Sequence, residues 1–232
     1  MDLFFLPDLK QTDNEVVFPK EESKHIARVM RKNVGDHLKV TNGKGLEMTI
    51  ELLQIGQSKV MGKSIQKTTH PPLAYQLHLA VAPTKNISRF EWFLEKATEI
   101  GIHQITPLLC DHSERKVIKE ERLDKIIVAA LKQSKQFYKP ILHPLTSVKD
   151  FIERQPKGYI AHCYPGEKES FFSTVEPINN IVLLIGPEGD FSPKEVNLAL
   201  ENNYKAISLG GQRLRTETAA IVATHSVALK AQ

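Results

Sequence analysis

Arg213, Arg215, Thr216, Glu217 and Thr218 crowd together near the C-terminal end of this 232-residue chain, directly after Gly210-Gly211 and Gln212. Capping a helix needs only one of the threonines, and two arginines with a glutamate exceed what a helix start requires. Arginine stays protonated and presents a planar fork, so it can stabilise negative charge, while a glutamate can accept a proton. A second turn of the same kind, Gly186-Pro187-Glu188-Gly189, lies upstream. Glycine at 186, 189, 210 and 211 lets a flat ligand lie directly on backbone N–H and C=O groups, although turn-making alone also calls for glycine. Neither turn runs into a glycine-rich helix start of the pyrophosphate-binding type, which favours a ligand recognised through a base and a sugar.

The elements around these turns read clearly. Ile181-Val182-Leu183-Leu184-Ile185 is too short for a helix and reads as a buried strand. Ser192-Pro193-Lys194-Glu195 then starts a helix with a capping box and a proline at the first helical position. Ala206-Ile207-Ser208-Leu209 repeats the strand, and the segment after Arg215 repeats the helix. Two strand–turn–helix units in succession imply parallel strands, whose carboxyl ends are where such sheets bind ligands.

Upstream the same alternation continues. Gln76–Ala82, Ile105–Leu109 and Tyr159–Ala161 read as strands. Ser88-Arg89-Phe90-Glu91 reads as a capping box opening a helix to Ile100, and Glu120–Gln136 reads as an amphipathic helix with Leu123, Ile126, Ile127, Ala130 and Leu131 inward. This is the pattern of an α/β domain with a mainly parallel sheet. Residues 1 to about 68 differ: short β segments separated by Pro, Gly and Asn suggest a small barrel or sandwich, with Asn42-Gly43 and Gly45 at turns. One helix over Glu21–Lys32 interrupts them, with His25, Ile26, Val29 and Met30 on one face. Its other side offers Lys24, Arg28, Arg31 and Lys32, which fit a solvated face or a basic patch for a phosphate backbone. Thr68-Thr69-His70-Pro71-Pro72 is the linker candidate, dividing the chain into residues 1–70 and 71–232.

Composition excludes more than it selects. The net charge of +4, from 31 basic and 27 acidic residues, permits an acidic partner without demanding one. Two isolated cysteines, Cys110 and Cys163, point to reduced thiols in a cytoplasmic protein. No apolar run suits a membrane span and the N-terminus is no signal peptide. The chain has no phosphate-loop motif, no dinucleotide fingerprint, no H-E-x-x-H and no paired C-x-x-C, which argues against a metal site. Cys110-Asp111-His112 resembles a nucleophile with helpers, but neighbouring side chains on extended backbone point apart, which speaks against that reading.

Several stretches together resemble one family. Leu184-Ile185-Gly186-Pro187-Glu188-Gly189 with Phe191-Ser192-Pro193, then Ser208-Leu209-Gly210 and Leu214-Arg215-Thr216-Glu217-Thr218-Ala219, resemble the bacterial RsmE family, the small-subunit ribosomal RNA uridine-N3 methyltransferases of the SPOUT or α/β-knot class. Arg89–Trp92, Lys96–Gly101, Ile105–Pro107, Gln133-Ser134 and His25–Arg31 extend the match over nearly the whole chain. Asp190 stands where the family commonly has a third glycine, and Gly211-Gln212-Arg213 replaces a more usual Pro-Arg-Ile-type run. The N-terminal Asp2–Phe5 lacks an arginine often found there.

The resemblance implies a trefoil-knotted, parallel-sheet methyltransferase domain over residues 71–232, preceded by a PUA-like RNA-binding β-barrel over residues 1–70. It implies S-adenosylmethionine (SAM) as methyl donor, a homodimer, and 16S ribosomal RNA of the small subunit as substrate. Gly186, Glu188, Gly189, Leu209, Gly210, Leu214 and Thr216 are the expected cofactor-binding residues, with His162 and Cys163 as a third loop. Lys24, His25, Arg28, Arg31, Lys32, Lys85 and Arg89 are the expected RNA-binding residues. Uridine N3 carries a proton that must leave before the nitrogen attacks, and negative charge then spreads to the neighbouring carbonyls. Arg215 is expected to stabilise that charge; Glu217, the catalytic candidate, or Glu188 is expected either to act as the base or simply to hold Arg215 in place or cap a helix. A non-catalytic RNA-binding or ribosome-assembly factor on the same fold is the alternative, and the altered loops at Asp190 and Gly211-Gln212 are what would favour it. A small-molecule α/β enzyme leaves the N-terminal barrel and its basic helix without a purpose.

Overall fold

A computed structural model describes residues 2–56, 58–176 and 180–232. The chain packs as two units, Met1–Pro72 with Leu131–Lys139, and Leu73–Ala130 with Pro140–Gln232.

The first unit is a five-stranded sheet. Its elements are β1 (Leu3–Phe5), β2 (Glu15–Phe18), α1 (Lys20–Lys24), β3 (His37–Thr41), β4 (Leu46–Ile55) and β5 (Val60–Thr69), with sheet order β1-β3-β4-β5-β2. Alternation along the strands sends Leu38, Val40, Met48, Ile50, Leu52 and Val60 into one core with Phe4, Phe18 and Ile26. Two register shifts in the β4–β5 ladder bend the pair, and Gly62 faces the carbonyl of Glu51 too closely for any Cβ.

The single helix expected over Glu21–Lys32 is not what forms. After α1 the chain widens into a π-helical turn at His25–Val29, and Arg31 follows with φ 53°. The wider turn shifts the helical phase. Ile26 is buried, but His25 is exposed and Val29 is 69% exposed, so the expected apolar face is broken. The linker candidate is also shorter than expected: Thr68 and Thr69 belong to β5, opposite Glu47 and Leu46.

Leu131–Lys139 joins this unit through contacts that no local pattern announces. Gly45 N–H donates to Phe137 O and Lys139 N–H to Gly43 O, both at 2.9 Å. The Phe137 ring stacks on His70 at 3.7 Å, and Lys132 pairs with Glu22 at 2.8 Å. Gly43 and Gly45 therefore do more than turn the chain. A Cβ at Gly43 would lie 2.9 Å from the Lys139 side chain, and one at Gly45 would strike the Tyr138 hydroxyl.

The second unit contains β6 (Gln76–Val81), α2 (Ile87–Ile100), β7 (Gln104–Leu109), α3 (Glu120–Ser134, whose last turn belongs to the first unit), β8 (Ile141–Leu142), β9 (Thr146–Ser147), α4 (Val148–Arg154) and β10 (Gly158–Ala161). It continues with β11 (Glu169–Ser170), α5 (Phe171–Thr174), β12 (Asn180–Ile185), α6 (Pro193–Glu201), β13 (Tyr204–Ser208) and α7 (Thr216–Lys230). The sheet runs β11-β13-β10-β12-β6-β7-β8, with β9 also on β7, and its described pairs are parallel. On β12, Ile181, Leu183 and Ile185 pack on one face with α2 and α7, while Val182 and Leu184 pack on the other with α4 and α6. Covering on both faces explains the unbroken apolar run.

Because the strands are parallel, their carboxyl ends gather at one edge, and so do the loops that follow them. The helix start at Asn86 corrects the capping box expected at Ser88–Glu91: Asn86 caps α2 by accepting from Ser88 N–H, and Glu91 instead pairs with Arg122. Among the described residues no helix is long and apolar enough to cross a membrane.

Candidate functional site

A cavity of about 660 Å³ opens at the carboxyl edge of the second unit's sheet. Three loops build its wall: Ala161–Lys168 after β10, Ile185–Asp190 after β12, and Ser208–Thr216 after β13. Its volume falls in the range of small-molecule and cofactor sites.

The structure gathers most of the expected cofactor residues here. Gly186, Glu188, Leu209, Gly210, Leu214 and Thr216 line the cavity, and so does Arg215. Gly189 is not on the wall: it faces His112, whose Cβ would be 3.1 Å from a Cβ at 189. The glycines also differ in what they permit. Gly186 is pressed by Phe191, whereas Gly210 has φ 139° and open space where a Cβ would stand. Backbone in that left-handed region suits glycine and leaves the chain itself exposed on the wall.

Thr216 ties the two glycine turns together, because its buried hydroxyl donates to Gly186 O at 3.0 Å. The hydroxyl is therefore not a helix cap; Arg215 is the N-cap residue of α7, with no side-chain cap bond. Arg215 itself is exposed, so its guanidinium meets the cavity while keeping access to solvent.

Glu217 stands just behind the wall. Its side chain is 91% buried, Oε1 lies 3.8 Å from Arg89 Nε, and Oε2 has no hydrogen-bond partner among the described residues. A buried carboxylate oxygen without a partner is costly unless a ligand or a moving proton supplies one. Glu188 is committed differently. Its Oε1 accepts from Lys85 N–H at 3.0 Å, and Arg115 grips the same loop through the carbonyls of Thr84 and Lys85. Glu188 thus positions the loop that leads into α2 and Arg89. The Lys85 side chain reaches Glu114 at 3.1 Å, an exposed pair of small energetic weight.

His162 contributes a polar atom to the wall that the motifs at the two glycine turns do not predict. Its Nδ1 is buried and has no partner among the described residues. Burial pushes its pKa down, the positive charge of Lys168 adds to this, and Asp190 opposes it, so the imidazole is held toward its neutral form. Lys168, Asp190, Gln212 and Arg213 also line the cavity. Cys163 lines the cavity beside His162, so the structure brings the expected third loop, His162 and Cys163, to the same wall as the two glycine turns.

Asp190 keeps the turn that a glycine would make. Its φ of 66° lies in the left-handed region, where aspartate is better tolerated than most residues. The feature that would have favoured a non-catalytic factor at this position therefore leaves the turn intact. The Cys110-Asp111-His112 cluster also resolves into structural roles. Cys110 is buried, and burial pushes its thiol pKa far up, with Glu195 the next cause. Asp111 accepts from Ser192 Oγ at 2.6 Å, and His112 Nδ1 faces the carbonyls of Gly189 and Asp190.

The remaining basic residues divide between the units. Lys24, His25, Arg28, Arg31 and Lys32 lie together on α1, the π-helical turn and the residues after it. Lys85 and Arg89 belong to the second unit, in the loop after β6 and the first turn of α2. Among the described residues, no three His, Cys, Asp or Glu side chains group as they would around a metal ion.

Residues 71–228 match the model of the RNA methyltransferase domain, and residues 18–60 match that of the RNA methyltransferase PUA domain. The chain is 30% identical over 209 residues to ribosomal RNA small subunit methyltransferase E of Rickettsia conorii, covering 88% of this chain and 85% of that protein. A crystal structure of a probable rRNA-methyltransferase from Porphyromonas gingivalis superposes with a TM-score of 0.91 at 33% identity, over 99% of this chain and 98% of that one. The fold is also that of a ribosomal RNA small subunit methyltransferase E from Neisseria gonorrhoeae bound to SAM, with a TM-score of 0.86 at 23% identity over 97% and 95% of the two chains. These neighbours share the SPOUT-class parallel sheet and the N-terminal PUA unit seen here.

Proposed function

We propose that this chain, which belongs to the RsmE-type family of ribosomal RNA small subunit methyltransferases, methylates N3 of a uridine in 16S ribosomal RNA with SAM as donor. The observation that carries the reading is a permanently charged guanidinium, Arg215, on the wall of a cavity that both glycine turns help to build. The residues present fit the cofactor. The open backbone at Gly210 offers a surface for a flat base, and the unpartnered His162 Nδ1 supplies a hydrogen-bonding group that calls for a ligand. Gly186, Leu209, Gly210 and Leu214 would hold the adenosine, with Thr216 keeping the two turns in register through Gly186 O. When bound, SAM supplies an electrophilic methyl group to the base.

The chain's own residues prepare that base. Arg215 stabilises the negative charge that appears on the uracil carbonyls once N3 loses its proton. Glu217 receives the proton or holds Arg89 against the substrate; its unpartnered Oε2 leaves room for either role. Glu188 is the weaker choice as base, because its Oε1 already accepts from Lys85 N–H. Lys24, His25, Arg28, Arg31 and Lys32 on the first unit, with Lys85 and Arg89 on the second, meet the RNA backbone. Such a substrate places the protein in the cytoplasm, on the small ribosomal subunit.

The protein acts as a homodimer in this reading. Helix α7 carries apolar residues around most of its circumference, from Ala219 to Leu229, and Leu229 is 49% exposed. An apolar surface that extends beyond the side packed within the chain fits a helix covered by a second copy.

Mass spectrometry of small-subunit ribosomal RNA from a strain lacking the protein tests the reaction. Loss of 3-methyluridine, restored by the wild-type chain and not by Arg215→Ala, is the expected outcome. Unchanged 3-methyluridine would remove the uridine-N3 reading.

A further inference from the structure

Asp190 lies in the turn after β12, and its carboxylate has two distinct partners. Oδ1 accepts from Phe191 N–H at 2.8 Å, which fixes the turn after β12. Oδ2 accepts from Cys163 N–H at 2.7 Å, in the loop after β10. The two strands are neighbours in the sheet, paired up to Ala161 and Ile185, and their loops both line the cavity. A backbone ladder holds the strands; beyond Ala161 and Ile185 the carboxylate continues the connection across the separated loops. Tyr164 adds a parallel tie, its hydroxyl donating to Phe191 O at 2.7 Å. From the other side, the His112 ring meets the carbonyls of Gly189 and Asp190, both at 3.1 Å.

We propose that Asp190 is a positioning residue for the cofactor, a latch that holds the 162–168 loop against the 186–191 turn and so presents His162 to the cavity. The inference rests on the reading that this cavity takes SAM. A glycine at 190 could make the turn but could not reach Cys163, so the latch depends on the carboxylate and not on the turn geometry. Both carboxylate bonds are charge-assisted, which makes them stronger and shorter than neutral ones. His162 follows directly: it precedes the latched Cys163 N–H, and its Nδ1 is the buried, unpartnered atom on the wall.

Two variants separate the latch from the turn. Asp190→Gly removes both carboxylate bonds without steric strain in the turn, because glycine accepts φ 66°. Asp190→Asn retains the left-handed backbone and one acceptor oxygen, and so serves as the conservative rescue. Titration calorimetry with SAM and with its demethylated product is expected to show Kd rising roughly tenfold in Asp190→Gly, the scale of one charge-assisted hydrogen bond. Asp190→Asn should lie between that and wild type. Steady-state KM for SAM should follow Kd, while kcat at saturating SAM stays within about twofold. Amide exchange on the ligand-free protein gives an independent reading, with the Cys163 N–H exchanging faster in Asp190→Gly and the strand amides of β10 unchanged. Equal SAM affinity in wild type and Asp190→Gly would overturn the inference, as would an unchanged Cys163 exchange rate. A wild-type protein that binds no SAM would overturn the cofactor reading itself, and the latch's role with it.

Discussion

The helix starts at α6 and α7 follow the same strand–turn–helix plan and are finished in opposite ways. At α6 the polar groups satisfy one another: Ser192 Oγ accepts from Glu195 N–H, Glu195 Oε2 accepts from Ser192 N–H, Glu195 Oε1 accepts from Asp111 N–H, and Ser192 Oγ donates to Asp111. At α7 no side chain caps the start, Thr216 turns its hydroxyl to Gly186, and Glu217 keeps an oxygen without a partner among the described residues. Arg215 places a positive charge at a helix N-terminus, where the helix dipole disfavours it. The closed start is built for stability. The open start departs from local rules at the cavity wall, where departures concentrate when a site does chemistry.

The sharpest way to break this contrast is Arg215→Ala. Losing one transition-state donor costs about 100- to 1,000-fold in the chemical step. Single-turnover methylation with SAM and RNA saturating should show that loss, with Arg215→Lys recovering only part of it. Melting temperature should barely move, because Arg215 is exposed and caps nothing. A near-wild-type rate would make the open start an accident of sequence.

A titration outside both helix starts gives a smaller, separate effect. His78 on β6 is 7% exposed, its Nε2 is 2.7 Å from Thr106 Oγ1, and burial with the charge of nearby His143 pushes its pKa down to about 4. The unfolded chain binds a proton at this histidine below its ordinary value of about 6.5, and the folded chain does so only near pH 4. Stability from this group is therefore fully present above about pH 6.5 and is lost as pH falls toward 4. The loss amounts to about 3 kcal/mol over that window. Denaturant melts of wild type and His78→Gln between pH 7 and 4 should differ in slope, and parallel curves would remove His78 as the cause. The same slope should persist in Arg215→Ala.

The smallest effect belongs to the closed start. Ser192→Ala should cost about 1 kcal/mol, the usual value of an N-cap, or roughly 2–4 °C in melting temperature for a domain of this size. Methyl transfer at saturating SAM should stay near wild type, since Ser192 does not line the cavity. A large fall in rate with no fall in stability would reverse the division of labour between the two helices.

Much of this molecule was legible from short-range pattern alone. The apolar run of β12, the capping box of α6 and the two glycine turns are local signals, each confined to a few neighbouring residues, and the chain forms them where the pattern places them. The motifs at 184–193 and 208–219 carried the family as well, because a residue type at a fixed spacing survives in the linear text. The π-helical turn at His25–Val29 escaped because a 3.6-residue period cannot foresee a wider turn. Asn86 escaped as the cap of α2 because Ser88 and Glu91 offered an equally good local solution.

What only the tertiary structure decided are the meetings of distant residues. Thr216 with Gly186, Glu217 with Arg89, Glu188 with Lys85, Asp190 with Cys163, and Phe137 with His70 are each separated by more than twenty residues in the chain. Propensity and periodicity describe each side chain's own element and say nothing of the partner that folding brings to it. The amino-acid sequence by itself determined the main strands and helices around the two glycine turns, the turns themselves and the arginine that the chemistry needs. Close packing of a parallel sheet, with all its carboxyl ends at one edge, decided which of those residues would share a wall.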